Sequence, residues 1–546
     1  MSDDSRRSAA RTAAILAGIT FAVFVPTLSA DFVYDARLQI LTDPFPHDPR
    51  NWPAVLSFAV LGMDVLDFNR PVHLASLMLD AALWGRDPFG YHLTSILLHC
   101  VNVVLLWFVL RDVLARGPRA DGAGLAEAAE NGRRDGAGPG VRLTATGVAA
   151  FAGPLLFAVH PIVTEAVCEP TFREDLLVAA FTLGALVLAA RGEGSWRAIG
   201  CAACCFLACA SKESGIAAPL VLGAYWWFFR RGEHGRFWAV AVGGGKAAAV
   251  AFLAARFLLA PEKSVIFESP PAYPGGSLAV AMHYEPRILA LYAQLVAWPV
   301  NLCADYGSDS VRHLPLWLSL GIVAGIAGGL GWAGWRDRRI AFGTSLVVLP
   351  LLPVSNLVPI YRPAADRYLY LPLAGIAVLA ACGIAAAWSR LTKERRQVAF
   401  VAGMVVLGLL AAACIARQRV WSNQMALWLD TAVRNPGSYS GANGLACALW
   451  EAGRFREAEH AARHAIRLSD GNRGDTWVIL ALALDGQGRT ADADEAVATA
   501  LRKDGRLVDP DRRVAALAME RREADAFKNL LARRGAIPLP VTPAGP

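Results

Sequence analysis

The sequence predicts an all-α, polytopic membrane protein of about eleven transmembrane helices, followed by a small extracytoplasmic domain of α-helical repeats. Three observations predict it. Of the 546 residues, 55% are hydrophobic, and mean hydropathy is +0.38; soluble domains are about 45–50% apolar. Apolar runs of spanning length recur up to residue 416, and the short loops between them carry their Arg and Lys on one side only. From about residue 438 the composition turns soluble, and Gly453-Arg454 recurs as Gly488-Arg489, 35 positions on.

In chain order, Arg6, Arg7 and Arg11 precede the apolar stretch 12–30. That stretch is long for a signal peptide and many spans follow, so it reads as a retained first helix. Further spans are predicted at 91–113, 143–159, 175–190, 197–210, 214–229, 237–259, 314–335, 340–360, 368–388 and 397–416. The segment 286–303 holds Tyr292, Trp298 and Pro299 and reads as interfacial. With a cytoplasmic N-terminus, the clusters around Arg116, Arg133, Arg191, Arg230, Arg338 and Arg395 all fall inside. One missed span would scramble that agreement. The membrane domain is therefore 1–416, with 31–90 as the first extracytoplasmic loop and 114–142 as a disordered cytoplasmic loop. A linker is expected at 417–437, helical repeats with a capping helix at 438–535, and a disordered Pro-rich tail at 536–546.

The repeats are two helical hairpins, Ala442–Trp450 with Arg454–Leu468 and Thr476–Leu484 with Arg489–Lys503. Glu457-Ala458 aligns with Asp492-Ala493, and Ala465 with Ala500. A period near 34, with Gly at the turn and Ala where paired helices approach, is similar to tetratricopeptide repeats.

Net charge is +7, but the basic residues lie scattered between apolar runs, which excludes a nucleic-acid footprint. Most of the ten cysteines lie in apolar runs. Cys201, Cys204, Cys205 and Cys209 have no flanking His and read as packing residues. No metal site is assigned. No Gly-rich phosphate loop occurs, so direct use of a nucleotide is unsupported.

Charges are costly within a membrane and mark function by default. Here they collect on the outer side, at Asp31, Asp35, Asn69-Arg70-Pro71, Asp80, His92 and His99 of the first loop and the helix after it. His160-Pro161 with Thr164-Glu165, Arg173-Glu174-Asp175, Ser211-Lys212-Glu213, Asp305-Tyr306, Asn356, Arg362 and Asp366-Arg367 follow. His160-Pro161 equally fits a helix-ending turn. Glu165, Arg173 and Asp175 equally fit ion pairs that hold a turn, and His92 and His99, seven residues apart, equally fit packing.

On these residues the chain, from about Asp31 to Asp504, resembles the GT-C class of membrane glycosyltransferases. The branch is the one that joins a protein-O-mannosyltransferase-like domain to tetratricopeptide repeats. The segments carrying the resemblance are Phe32-Val33-Tyr34-Asp35, Arg70-Pro71, Gly90-Tyr91-His92, His160 to Glu165, Arg173-Glu174-Asp175, Ser211-Lys212-Glu213, Ala304-Asp305-Tyr306 and Asp366 to Tyr370. The resemblance implies transfer of a sugar, mannose by analogy, from a polyprenyl-phosphate carrier to a hydroxyl of an extracytoplasmic acceptor, a protein Ser or Thr.

It implies Asp35 as the catalytic base, and a carboxylate near the membrane surface can take the proton of an attacking hydroxyl. The lipid phosphate that leaves needs fixed cations and donors. Arg70, His160, Glu165, Arg173, Asp175, Lys212, Asp305 and Arg367 are the candidates for binding phosphate or sugar. The class often has two adjacent acidic residues where this chain has Asp35-Ala36, so only one carboxylate carries over; a divalent metal finds no support here. Phe172 stands where a Gly is usual, and Asp366 where Glu is usual.

The expected partners are the lipid-linked donor and a protein acceptor held by the repeats. The expected setting is a bacterial inner membrane. A catalytically dead scaffold presenting the repeats is the main alternative and predicts that Asp35 is dispensable. A transporter would place its charges near the midplane between similar halves, and neither is evident.

Overall fold

A computed structural model describes residues 3–117, 144–192, 194–233, 235–259, 273, 276–307, 314–511 and 519–533. Among the described residues every regular element is helical. Caps fix the helix starts where the sequence supplies them. Asp87 accepts the amide of Phe89 ahead of Pro88 at the first position of Pro88–Ala115, and Thr144 accepts that of Gly147.

Among the described residues, six helical stretches are long and apolar enough to cross a membrane: Arg6–Ser29, Pro88–Ala115, Gly235–Leu259, Leu316–Arg336, Asp366–Arg390 and Lys393–Trp421. The bent pair Ala145–Val159 and Pro161–Cys168, at 49°, adds a seventh if it counts as one span. The expected count of eleven is thus not reached by independent spans. The remaining predicted segments are helical, yet Ala217–Tyr225 and Arg338–Leu351 are too short for a core of about 30 Å. Arg173–Ala190 opens on three charged residues. Such segments pack inside the bundle, where protein replaces lipid as their surroundings. By contrast, the spans 316–336 and 393–421 are only 6% buried and present Trp317, Trp335, Val398, Val405 and Leu409 outward. An apolar surface of that extent fits lipid and not water. The chain is an integral membrane protein.

The core is shared by Pro88–Ala115, Ala145–Val159, Arg173–Ala190 and Tyr370–Arg390, through Val103, Leu110, Phe157, Leu183 and Leu373. Small residues allow the closest approaches. A methyl at Gly375 would lie 2.7 Å from the Gly343 carbonyl, so the helices 338–351 and 370–390 meet backbone to backbone.

Several boundaries differ from expectation. The span expected at 340–360 ends at Leu351 and turns at Leu352–Val354, because Pro350 and Pro353 end the hydrogen-bond ladder. The interfacial segment 286–303 is the end of a helix, Leu278–Ala297. The expected linker 417–437 is mostly helix: Gln424–Arg434 is capped by Asn423, which accepts the amide of Ala426. The loop 114–142 and the tail 536–546 lie outside the described residues, apart from the end of the helix at Ala115 and the two residues after it.

The hairpins are Tyr439–Glu451 with Phe455–Leu468 and Gly474–Gly486 with Thr490–Lys503, followed by Arg521–Arg533. Their turns rest on Gly453 and Gly488 at φ +73° and +75°, a conformation with little cost for glycine alone. Ala458, Ala465, Ala493 and Ala500 are fully buried between the helices. The unit sits against loops at one end of the bundle. Arg37 binds Glu451 at 2.5 Å and Glu520 at 2.6 Å, and Ser438 donates to Asp305 at 2.5 Å.

Candidate functional site

After the first helix the chain is pinned by the Asp31 amide, which donates to the Ser422 carbonyl at 2.9 Å. It then reverses at Tyr34, whose φ of +52° is in the left-handed region. A side chain pays strain there, so neighbours must hold the turn. The Tyr34 ring stacks on Trp428 (5.2 Å between centroids) and meets Phe172 edge-on at 5.6 Å. Next comes Asp35, whose carbonyl accepts the amides of Leu38 and Gln39 at 3.1 and 2.9 Å.

The Asp35 carboxylate is half-buried. Burial raises its pKa above the usual carboxylate range, against the pull of Arg367 and Arg362. It makes no hydrogen bond among the described residues. It faces a cavity of about 220 Å³. One wall is Tyr34, Asp35 and Arg362; the other is Trp428, Cys447 and Glu523 of the helical hairpins and their flanks. A free carboxylate and the inner face of the repeats therefore open into one space.

Arg367 lies on the opposite flank. Its backbone amide donates to Glu165 at 2.8 Å and its guanidinium pairs with the same carboxylate. Its plane lies 4.0 Å from the Phe172 ring. Phe172, the departure noted in the sequence, is thus the aromatic floor between Tyr34 and Arg367. A smaller cavity of about 20 Å³ is lined by Asp175, Ser214, Arg367 and Tyr368.

Beyond it lies a closed network. Arg70 reaches Glu174 at 2.5 Å, Asp67 at 3.0 Å and Glu213 at 3.1 Å. Lys212 reaches Asp175 at 2.6 Å and Glu174 at 2.9 Å. Glu174 and Asp175 also sit in the first turn of their helix, where the dipole favours negative charge.

Three of the proposed substrate-binding residues have other work. Arg173 is fully buried, paired with Asp80 at 2.6 Å and donating to the Tyr91 carbonyl at 2.8 Å; it ties the helix Pro71–Trp84 to the bundle. His160 has one ring nitrogen against the Val296 carbonyl at 3.0 Å and the other accepting the Ile162 amide, so it caps its turn. Asp305 bridges Arg362 and Ser438 and anchors the repeats. None of the three lines either cavity. His99 is a packing residue, bonded to the Tyr370 hydroxyl at 2.7 Å.

The sequence reading missed Arg37, Trp428 and Glu169. Arg37 follows Asp35 by two positions, and Trp428 lay in the supposed linker. Glu169 carried a signal that went unused: one acid flanked by Val167, Cys168 and Pro170 in an apolar turn, where a carboxyl is costly to bury.

No protein-family model matches the chain. The chain is similar to a protein O-mannosyl-transferase of Caenorhabditis elegans, 24% identical over 491 residues, covering 85% of this chain and 64% of that protein. It is similar to the protein O-mannosyl-transferases Tmtc1 and Tmtc3 of Drosophila melanogaster. Tmtc1 is 23% identical, with 82% of this chain and 60% of that protein covered; Tmtc3 is 24% identical, with 78% and 51% covered. The chain thus spans about half to two thirds of the length of these relatives. Among solved structures it is similar to ArnT from Cupriavidus metallidurans bound to undecaprenyl phosphate, at 16% identity and a TM-score of 0.37, over 89% of this chain and 79% of that one.

Proposed function

We propose that this chain is a membrane glycosyltransferase that moves a sugar, mannose, from a polyprenyl-phosphate carrier to a Ser or Thr hydroxyl of an extracytoplasmic protein. The observation that carries the reading is the unpartnered Asp35 carboxylate on its strained turn, open to the cavity shared with the hairpins. The names of the relatives, protein O-mannosyl-transferases, support the reaction class. The hairpins, read as tetratricopeptide repeats, present the acceptor, since stacked hairpins offer a concave surface. The setting is a bacterial inner membrane, with the N-terminus cytoplasmic and the repeats outside.

In the step, the acceptor hydroxyl enters from the 220 Å³ cavity and gives its proton to Asp35. Its oxygen bonds to the anomeric carbon as the bond from that carbon to the phosphate oxygen breaks. The electron pair stays on the lipid phosphate, which gains negative charge. Arg367 keeps Glu165 on one nitrogen and has N–H groups left for that phosphate, with Arg362 beside it. Arg70 and Lys212, already saturated by carboxylates, hold the flank and take no part in the transfer. A pKa raised by burial makes the Asp35 carboxylate a better proton acceptor.

The test is sugar transfer by the purified chain in lipid. A panel of polyprenyl-phosphate sugars serves as donors and a Ser/Thr peptide as acceptor, with Asp35→Asn beside the wild type. Labelled product that disappears in the variant supports the reading. Equal product from both removes Asp35 from the mechanism. No product with any donor from folded protein favours a scaffold instead.

A further inference from the structure

The turn at Tyr34 raises a question that packing alone leaves open. A non-glycine residue at φ +52° is strained and persists only where its surroundings over-determine it. On the upstream side the Tyr34 ring is wedged against Trp428 and Phe172. On the downstream side, beside the main-chain bonds of the turn, one side chain reaches the backbone. The Ala36 amide, which follows Asp35 directly, donates to Glu169 Oε1 at 3.1 Å, sharing its proton with the Val33 carbonyl at 3.2 Å.

Glu169 is an unusual residue to find there. It is fully buried. Its Oε1 also accepts the Thr171 hydroxyl at 2.7 Å and the Thr171 amide at 3.4 Å. Its Oε2 is buried with no hydrogen-bond partner, and it makes no ion pair among the described residues. A structural carboxyl in this turn would be satisfied on both oxygens, or replaced by an apolar residue at less cost. What the position gains is a single acceptor aimed at the peptide that carries Asp35.

We propose that Glu169 is a positioning residue for Asp35: held by Thr171, its Oε1 captures the Ala36 N–H and fixes the direction in which the Asp35 carboxylate faces the cavity. Burial, first, and the nearby Asp35 charge push the Glu169 carboxyl well above the usual carboxylate range, offset in part by the Thr171 and Ala36 donors. That shift favours the neutral acid. An amide in place of this acid keeps the acceptor and the charge, whereas a methyl removes the acceptor.

This inference rests on the proposed role of Asp35, so its test has one arm that needs no turnover. Hydrogen–deuterium exchange is followed at the Ala36 amide in the full chain in lipid, for wild type, Glu169→Gln and Glu169→Ala. Glu169→Asp, which withdraws the acceptor by one methylene, reads the same quantity if the alanine variant does not fold. Exchange at Ala36 about tenfold faster in the alanine or aspartate variant, with glutamine at the wild-type rate, is the expected result; tenfold corresponds to one lost hydrogen bond of about 1.4 kcal/mol.

In the transfer assay with polyprenyl-phosphate mannose and a Ser/Thr peptide, the alanine variant loses about tenfold in kcat, donor KM changes less than about twofold, and glutamine restores kcat. Unchanged exchange in the alanine and aspartate variants overturns the proposal, as does exchange equally fast with glutamine. If the wild type transfers no sugar, the proposed function fails, and the exchange arm still decides Glu169.

Discussion

The Asp35 turn and the Arg70–Lys212 network lie in the same end of the bundle and are built on opposite principles. In the network, Arg70 and Lys212 are each surrounded by carboxylates at 2.5–3.1 Å. At the turn, the backbone is strained, Asp35 has no hydrogen-bond partner among the described residues, and Tyr34 Oη and Glu169 Oε2 are orphaned. A charge network with every member paired is a fastener, because its groups have nothing left to offer a substrate. A carboxylate kept free at a strain cost is one whose partner arrives later. Both regions are rich in charged motifs in the sequence. Only the structure separates the paired cluster from the free carboxylate.

The largest effects break that comparison directly. Asp35→Asn is expected to lower transfer by about 10²–10⁴-fold, the usual range for loss of a general base, with the melting temperature in detergent unchanged. Glu174→Ala is the converse. It takes from Arg70 and Lys212 the carboxylate they share and is expected to cost about 3–5 kcal/mol of stability, read by thermal unfolding. An Asp35→Asn protein that unfolds early, or a Glu174→Ala protein that does not, would erase the distinction. The pH profile of kcat/KM adds a sign. Asp35 must be ionised to accept a proton, and its pKa is raised by burial. The acid limb therefore lies above the ordinary carboxylate range, and activity falls as pH drops through that raised value.

A smaller effect concerns the joint between the bundle and the repeats. Arg37 spans Glu451 and Glu520 two residues after Asp35. Arg37→Ala removes charge-assisted hydrogen bonds worth about 1.5–3 kcal/mol when both partners are held. The expected outcome is a rise in acceptor KM of about tenfold with donor KM unchanged. Equal rises in both constants would mean that Arg37 acts on the whole site and not on the repeats.

These residues also mark how far the sequence could be read. The helices were legible because a span is a length of apolar residues, and each predicted segment overlaps one, although that at 340–360 stops at Leu351. The count of independent spans was not, because Arg173–Ala190 and Arg338–Leu351 are apolar for their position inside the bundle and say nothing of depth. The hairpins were legible from Gly453 and Gly488, which the φ > 0 turn requires. Helix Gln424–Arg434 was hidden, since its sequence is amphipathic and short and lies where a composition shift suggests a linker. In the candidate site, Asp35, Lys212 and Arg367 were singled out by residue type. Their pairings were out of reach, because Glu165 and Arg367 are far apart in sequence and only the fold closes the distance. Arg173 and His160 were misplaced for the same reason: a buried Arg and a turn-capping His look like ligands until their partners Asp80 and Val296 are seen.

The repeats provide the weakest contrast with the Asp35 turn, and a pH measurement sharpens it. Glu523 lines the same cavity. Burial pushes its carboxyl up to about 8, with the neighbouring Glu520 and Glu451 charges adding to the shift and Cys447 and Arg37 opposing it. A pKa raised in the folded state means that folding favours the protonated acid. The contribution is fully present below the unfolded-state value of about 4.3 and is lost as pH rises through about 8. The repeats are therefore expected to melt lower at pH 9 than at pH 6, by about 4–8 °C for each kcal/mol lost in a unit of this size. Glu523→Gln, which keeps the neutral shape, should flatten that dependence. The same substitution should leave the acid limb of transfer in place, because Asp35 sets that limb from the opposite wall. A slope that survives Glu523→Gln would move the titration to Glu520, whose carboxyl burial also raises against the hydrogen bond from Arg37. Arg37→Ala, by removing that opposing bond, would then shift the slope toward higher pH.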